Sequence, residues 1–166
     1  MTATMKTPLQ RVRALAKSFI QALEALQPGA QLVARLFVAQ AFFASGLTKL
    51  RDWDITLALF ADEYQVPLLS PDAAAFMGTA GELVLPVLLA LGLGGRFAAL
   101  GLTVVNAVAV ISLSEIAPAA MQQHQFWGSL LLALLLWGPG RWSLDAWLMR
   151  RWARAEPGAA TTLRSV

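Results

Sequence analysis

Four long apolar segments, each closed by charge, proline or glycine, constrain this chain more than any other feature. They fall at about 31–50, 73–93, 97–116 and 124–142. Roughly 20 apolar residues in helical form cross the ~30 Å hydrocarbon layer of a bilayer. In that layer every backbone polar group must be satisfied within the segment, which makes helix the natural form for such runs. The chain of 166 residues is 57% hydrophobic and 14% charged, against about 25% charged in an ordinary soluble domain. The expected fold is all-α: a four-transmembrane-helix bundle with amphipathic helices at both ends and a short helix in the first outer loop.

Three segments divide the chain. Residues 1–29 form an amphipathic helix on the cytoplasmic side. Residues 30–142 form the bundle, and 143–166 an interfacial helix followed by a disordered tail. Within 8–27, Leu9, Val12, Ala16, Phe19, Leu23 and Leu26 recur at steps of three or four, while Arg11, Arg13 and Lys17 take other faces. Such a basic amphipathic helix is expected to lie on the membrane surface or to pack under the bundle. Pro28-Gly29 should end it. In the first outer loop Asp54 is placed to cap a helix at 55–64. Gly92-Leu93-Gly94-Gly95-Arg96 reads as a tight turn, since no strand precedes it and no Gly-Lys-Ser/Thr follows. Past Gly138-Pro139-Gly140, Leu144, Trp147, Leu148 and Trp152 line one side of a second surface helix, opposite Arg150 and Arg151.

Charge placement sets the orientation. Lys6, Arg11, Arg13 and Lys17 precede the first span, Arg96 lies between the second and third, and Arg141, Arg150, Arg151, Arg154 and Arg164 follow the fourth. The first outer loop has Arg51 and the flanking Lys49 against Asp52, Asp54, Asp62, Glu63 and Asp72, and the second has neither Lys nor Arg. Basic residues remain on the cytoplasmic side, so both termini are expected there. No cleavable signal peptide is expected, because charges interrupt the first 29 residues.

Cysteine is absent, which removes thiol–disulfide exchange and cysteine-ligated iron–sulfur or zinc sites. The one histidine, His124, cannot supply both axial ligands of a haem. No nucleophile–base pair, His-rich motif or nucleotide fingerprint is present. No intrinsic cofactor is expected, and the chain is not expected to be catalytic alone.

The polar residues inside the apolar segments are therefore the informative ones. Glu82 sits about nine residues into its span, ~14 Å deep at 1.5 Å per residue. A carboxylate at that depth needs protein, water or a cation beside it. Lys49 near the outer edge of the first span and Arg35 near its inner edge both have the reach to neutralise it. Gly46 shares their face, and Asn106 lies at a depth from which it could donate to Glu82. This set reads either as an ion pair that fixes helix register or as a polar pocket for a quinone-like headgroup or a proton relay. At the outer start of the fourth span His124, with Glu115 and Met121, is a weak metal-ligand set; the bland alternative is an interfacial histidine bonded to water and loop.

The run Phe43-Ala44-Ser45-Gly46-Leu47-Thr48-Lys49-Leu50-Arg51-Asp52, with Arg35 earlier on the same helix, resembles the first-span signature of the DoxX family. Gly81-Glu82-Leu83-Val84, the Leu-rich continuation to Leu93 and Arg96-Phe97-Ala98-Ala99-Leu100 are similar to that family's second-span Glu and Arg-initiated third span. The resemblance covers roughly residues 30–140. It implies a small four-helix protein of the bacterial inner membrane, named for a membrane subunit of an archaeal thiosulfate:quinone oxidoreductase. It also implies an accessory role beside an oxidoreductase, a detoxifying enzyme or an operon-linked protein, with Arg35, Lys49 and Glu82 as the family's polar core.

The expected function is thus an accessory membrane subunit of a redox system with quinone as ligand. The alternatives are an outer-face metal-stress or assembly factor, or a small transporter. Against the last, four spans leave little room for alternating access and no inverted repeat is visible. The partners expected are the bilayer, an oxidoreductase or operon-linked protein, and further copies of the chain. Nothing points to nucleic acid.

Overall fold

A computed structural model describes residues 7–155. The C-terminal tail beyond them, expected to be disordered, and Lys6 and Arg164 lie outside the described residues. Six helices follow one another, and no strand occurs among the described residues. They are α1 (Pro8–Arg51), α2 (Trp53–Asp62), α3 (Pro71–Leu91), α4 (Gly95–Ile111), α5 (Pro118–Trp137) and α6 (Leu144–Ala155). α1 packs on α3, α3 on α4, α4 on α5, and α5 returns to α1, closing a ring of four helices. α2 lies across the start of α3.

The ring closes over a core of Val38 and Phe42 from α1, Leu89 from α3, Ala98, Ala99 and Leu102 from α4, and Leu131 and Leu134 from α5. Small residues set the helix spacing. A Cβ on Gly101 would come 2.8 Å from Leu85 Cδ1, and one on Gly46 would come 2.9 Å from Leu83 Cδ2 and 3.1 Å from Glu82 Cβ. Outside the ring, Phe37, Leu47, Phe76, Val84, Phe97, Leu100, Val104, Leu132 and Leu136 are exposed. So broad an apolar exterior is unsuited to water and suits lipid. α1 and α3 are long and apolar enough to cross a membrane, and the apolar α4, at 17 residues, is shorter. α5 is apolar only from Phe126 onward, since its first two turns carry Gln122, Gln123, His124 and Gln125.

Several boundaries differ from the sequence reading. Pro28-Gly29 does not end a helix: α1 runs unbroken for 44 residues with Pro28 inside it. A proline forfeits its own N–H bond and crowds the preceding turn. Here neighbouring contacts support that turn, for Pro28 is buried and Gln31 Nε2 donates to the Gly138 carbonyl at 3.3 Å. Residues 9–27 are exposed throughout, so this arm does not pack under the other helices. α2 is capped by Asp52, not Asp54: the Asp52 carboxylate accepts from Ile55 N–H at 3.0 Å. The chain turns there immediately after α1, which leaves Asp54 in the first turn of α2. α4 ends at Ile111, where Ser112 caps it, and the following backbone turns aside to pair Leu113 with Tyr64. α5 begins at Pro118, with proline at a first-turn position where a missing N–H costs nothing.

The two ends of the ring differ in charge. One carries α2, Asp52, Asp54, Asp62, Glu63 and Asp72. The other carries the α3–α4 turn, α6, Arg96, Arg141 and Arg150. At the basic end Gly92 and Gly94 adopt φ +66° and +56°, values open to glycine at little cost. A Cβ on Gly92 would also collide with Arg35 Nη1.

Candidate functional site

Glu82 and Lys49 meet. The Lys49 ammonium donates to Glu82 Oε2 at 2.6 Å and to Ser45 Oγ at 3.0 Å. Among the described residues this is the one salt bridge. About one helical turn of α1 carries it: Ser45 lies four residues before Lys49, and Gly46 opens the space through which α3 brings Glu82 alongside. Glu82 is 8% exposed, so the pair supplies the charge balance that a carboxylate on an apolar helix requires. One turn earlier on α3 the Thr79 hydroxyl is buried without a partner.

Above the pair lies a cavity of about 350 Å³. Lys49 and Glu82 form its polar floor. Met77, Val104, Val105 and Val108 wall it from α3 and α4, and Phe60, Tyr64 and Val66 roof it from α2 and the loop that follows. Phe60 and Tyr64 stack with ring centroids 4.8 Å apart. Thr56 fastens α2 over this end, its hydroxyl donating to the Lys49 carbonyl at 2.8 Å or the Asp52 carbonyl at 2.9 Å. Burial pushes the Tyr64 phenol above its ordinary pKa, and the negative charges of Glu82 and Glu63 push it the same way. Tyr64 thus remains a neutral hydroxyl at the cavity rim.

Arg35 does not join Glu82. It lies 14 residues before Lys49, about 21 Å along the helix axis. Its Nη2 donates instead to the Trp142 carbonyl at the basic end. Asn106 does not reach Glu82 either. Its amide Nδ2 donates to the His124 carbonyl at 3.0 Å, and its Oδ1 pairs with His124 Nδ1 at 2.8 Å. The first bond fixes the amide's orientation, so Oδ1 accepts from Nδ1–H and leaves Nε2 as the lone-pair nitrogen. The His124 ring also meets the Trp127 ring edge-on at 5.2 Å. Among the described residues no group of three or more His, Cys, Asp or Glu side chains is placed to hold a metal ion.

The sequence points to a polar pocket around Glu82 with Lys49 or Arg35 as its cation, but not to the walls and roof of this cavity. Its walls are ordinary valines, and its roof depends on α2 folding back over α3. The signal within reach was Tyr64, the single tyrosine of the chain, set in the loop next to an acidic helix end.

An apolar exterior around a ring of helices, with the interior Glu82 carboxylate paired to Lys49, defines a membrane protein. The DoxX family model matches residues 30–115, more than half of the 166-residue chain, and the chain belongs to that family. No curated protein and no solved structure matches it. The matched stretch contains Arg35, Gly46, Lys49, Glu82 and Asn106, together with every residue that lines the cavity.

Proposed function

We propose that this protein is an accessory subunit of a bacterial redox system. It crosses the inner membrane four times with both termini cytoplasmic, and it receives a quinone-like amphiphile in the cavity above Lys49 and Glu82. The observation that carries this reading is the cavity's composition. An apolar chamber of about 350 Å³ ends on one hydrogen-bonded ion pair with a neutral tyrosine hydroxyl at its rim. Ligand sites typically combine a mostly apolar lining with a few convergent polar groups. Lys49 can donate to a ring carbonyl while Glu82 accepts from a ring hydroxyl, so the pair can hold oxidised and reduced headgroups alike. The distribution of basic residues supports the orientation. Electron transfer itself would fall to a partner, since no redox group is evident in the sequence.

The test is binding of a short-chain ubiquinone analogue to detergent-purified protein, followed by tryptophan fluorescence. Wild type should bind saturably, and Glu82→Gln and Lys49→Met should each weaken binding about tenfold or more, in line with loss of a charge-assisted hydrogen bond. Equal binding by both variants would remove this pocket as the site.

A further inference from the structure

A second recess lies at the basic end, and the proposed quinone site plays no part in it. It occupies about 500 Å³ between the end of α3 and the start of α6, and is lined by Arg35, Arg141, Arg150, Trp147 and the apolar Leu32 and Leu91, among others. No acidic side chain lines it.

Arg35 is the informative member. It is 1% exposed, and its guanidinium stays charged at any physiological pH. Nη2 is bonded to the Trp142 carbonyl, yet Nε and Nη1 are buried with no acceptor. Buried donors left without a partner are rare and costly. Asp145 is the acid whose charge reaches Arg35, but its two oxygens are engaged elsewhere. Oδ1 accepts from Gly94 N–H and Oδ2 from Gly95 N–H, each at 2.9 Å. Asp145 thereby caps α4 and forms no salt bridge with Arg35. The recess is left with three guanidinium groups and no anion among its lining.

The remaining walls say what kind of anion fits. Arg150 is held across the recess by donating to the Arg141 carbonyl at 3.3 Å. Trp147 is half exposed, with the Arg151 guanidinium 5.1 Å above its ring. Leu91 and Leu144 continue the mouth onto the apolar exterior. Guanidinium forks match the oxygens of a phosphoryl group in geometry and charge. Basic pockets between helix ends at a membrane interface suit anionic lipid headgroups, and tryptophan suits the same depth.

We propose that this recess is a phosphoryl-binding site for an anionic phospholipid, with Arg141 and Arg150 gripping the phosphate from outside and the unpartnered N–H groups of Arg35 drawing it inward. The lipid would complete the polar interior at the joint between α1, α3 and α6 and fasten α6 to the membrane.

The experiment uses the full chain in nanodiscs of mixed phosphatidylglycerol and phosphatidylcholine, with the lipids that remain bound after release counted by native mass spectrometry. Wild type should retain phosphatidylglycerol in preference to phosphatidylcholine. Arg141→Gln/Arg150→Gln alters two exposed side chains and should reduce that preference by about fivefold per arginine. A parallel arm adds inorganic phosphate. Displacement of the lipid by phosphate supports a phosphoryl site open to soluble phosphate as well, and retention against phosphate supports the lipid as its occupant. Equal retention of the two lipids by wild type, or an unchanged preference in the double variant, would overturn the proposal.

Discussion

Removing one half of the Lys49–Glu82 pair should destabilise the protein far more than removing both. The two side chains touch at 2.6 Å and are 20% and 10% exposed. Deleting one member of a buried pair strands the other charge, at a cost of about 3–5 kcal/mol, whereas replacing both by apolar groups is often close to neutral. The cavity beside the pair gives a stranded side chain some room, so the lower figure applies: about 3 kcal/mol for Lys49→Met and the same for Glu82→Leu. Independent effects would sum to about 6 kcal/mol in the double variant, while a coupled pair predicts a loss of about 1 kcal/mol. Reversible unfolding in mixed micelles, titrated with sodium dodecyl sulfate and followed by far-ultraviolet circular dichroism, reads all four corners of the cycle. A double variant as unstable as the sum of its parents would refute the argument that the charges exist in the interior only because they neutralise each other.

Four further outcomes are expected. Gly46→Val should cost about 2 kcal/mol or more in the same titration, because its Cβ would already press Leu83 at 2.9 Å and crowding a packed interface costs about 1–3 kcal/mol. Asp145→Ala strips the acceptors from Gly94 and Gly95 N–H and should cost about 1–2 kcal/mol, the range of a lost helix cap. Asn106→Leu breaks both contacts with His124 and should cost about 0.6–1.7 kcal/mol, the span measured for bonds between membrane helices. Tyr64, as the single tyrosine, can be titrated by its absorbance near 295 nm. Its phenol should ionise above the ordinary 10.0 and move back towards it in Glu82→Gln. Because the folded value is the raised one, the associated stability is complete below pH 10.0 and declines as pH climbs through the folded pKa.

What the sequence made legible was whatever depends on a single helix and its solvent. The apolar lengths and the glycine turn that stops α3 at Gly92 could be read locally, as could the need of Glu82 for a cation. Choosing between Lys49 and Arg35 as that cation turned on distance. Both lie on one stripe, but only Lys49 is level with Glu82. The destination of Arg35 was hidden because its acceptor, the Trp142 carbonyl, belongs to a loop 107 residues away. Pro28 misled for the same reason, since a local rule met contacts from Gly138. Asn106 and Glu82 were matched by depth alone, and depth does not say which neighbour an amide faces.

The unbroken course of α1 through Pro28 has a mechanical consequence. A helix of 44 residues is about 66 Å long, and its exposed first half is a rod whose rotation is locked to the half that carries Lys49. Inserting one residue near position 28 would turn the Leu9–Leu26 stripe by about 100° relative to Lys49 while advancing it only ~1.5 Å. Anything that grips the arm would therefore sense the twist of the membrane segment directly, as a key senses its lock.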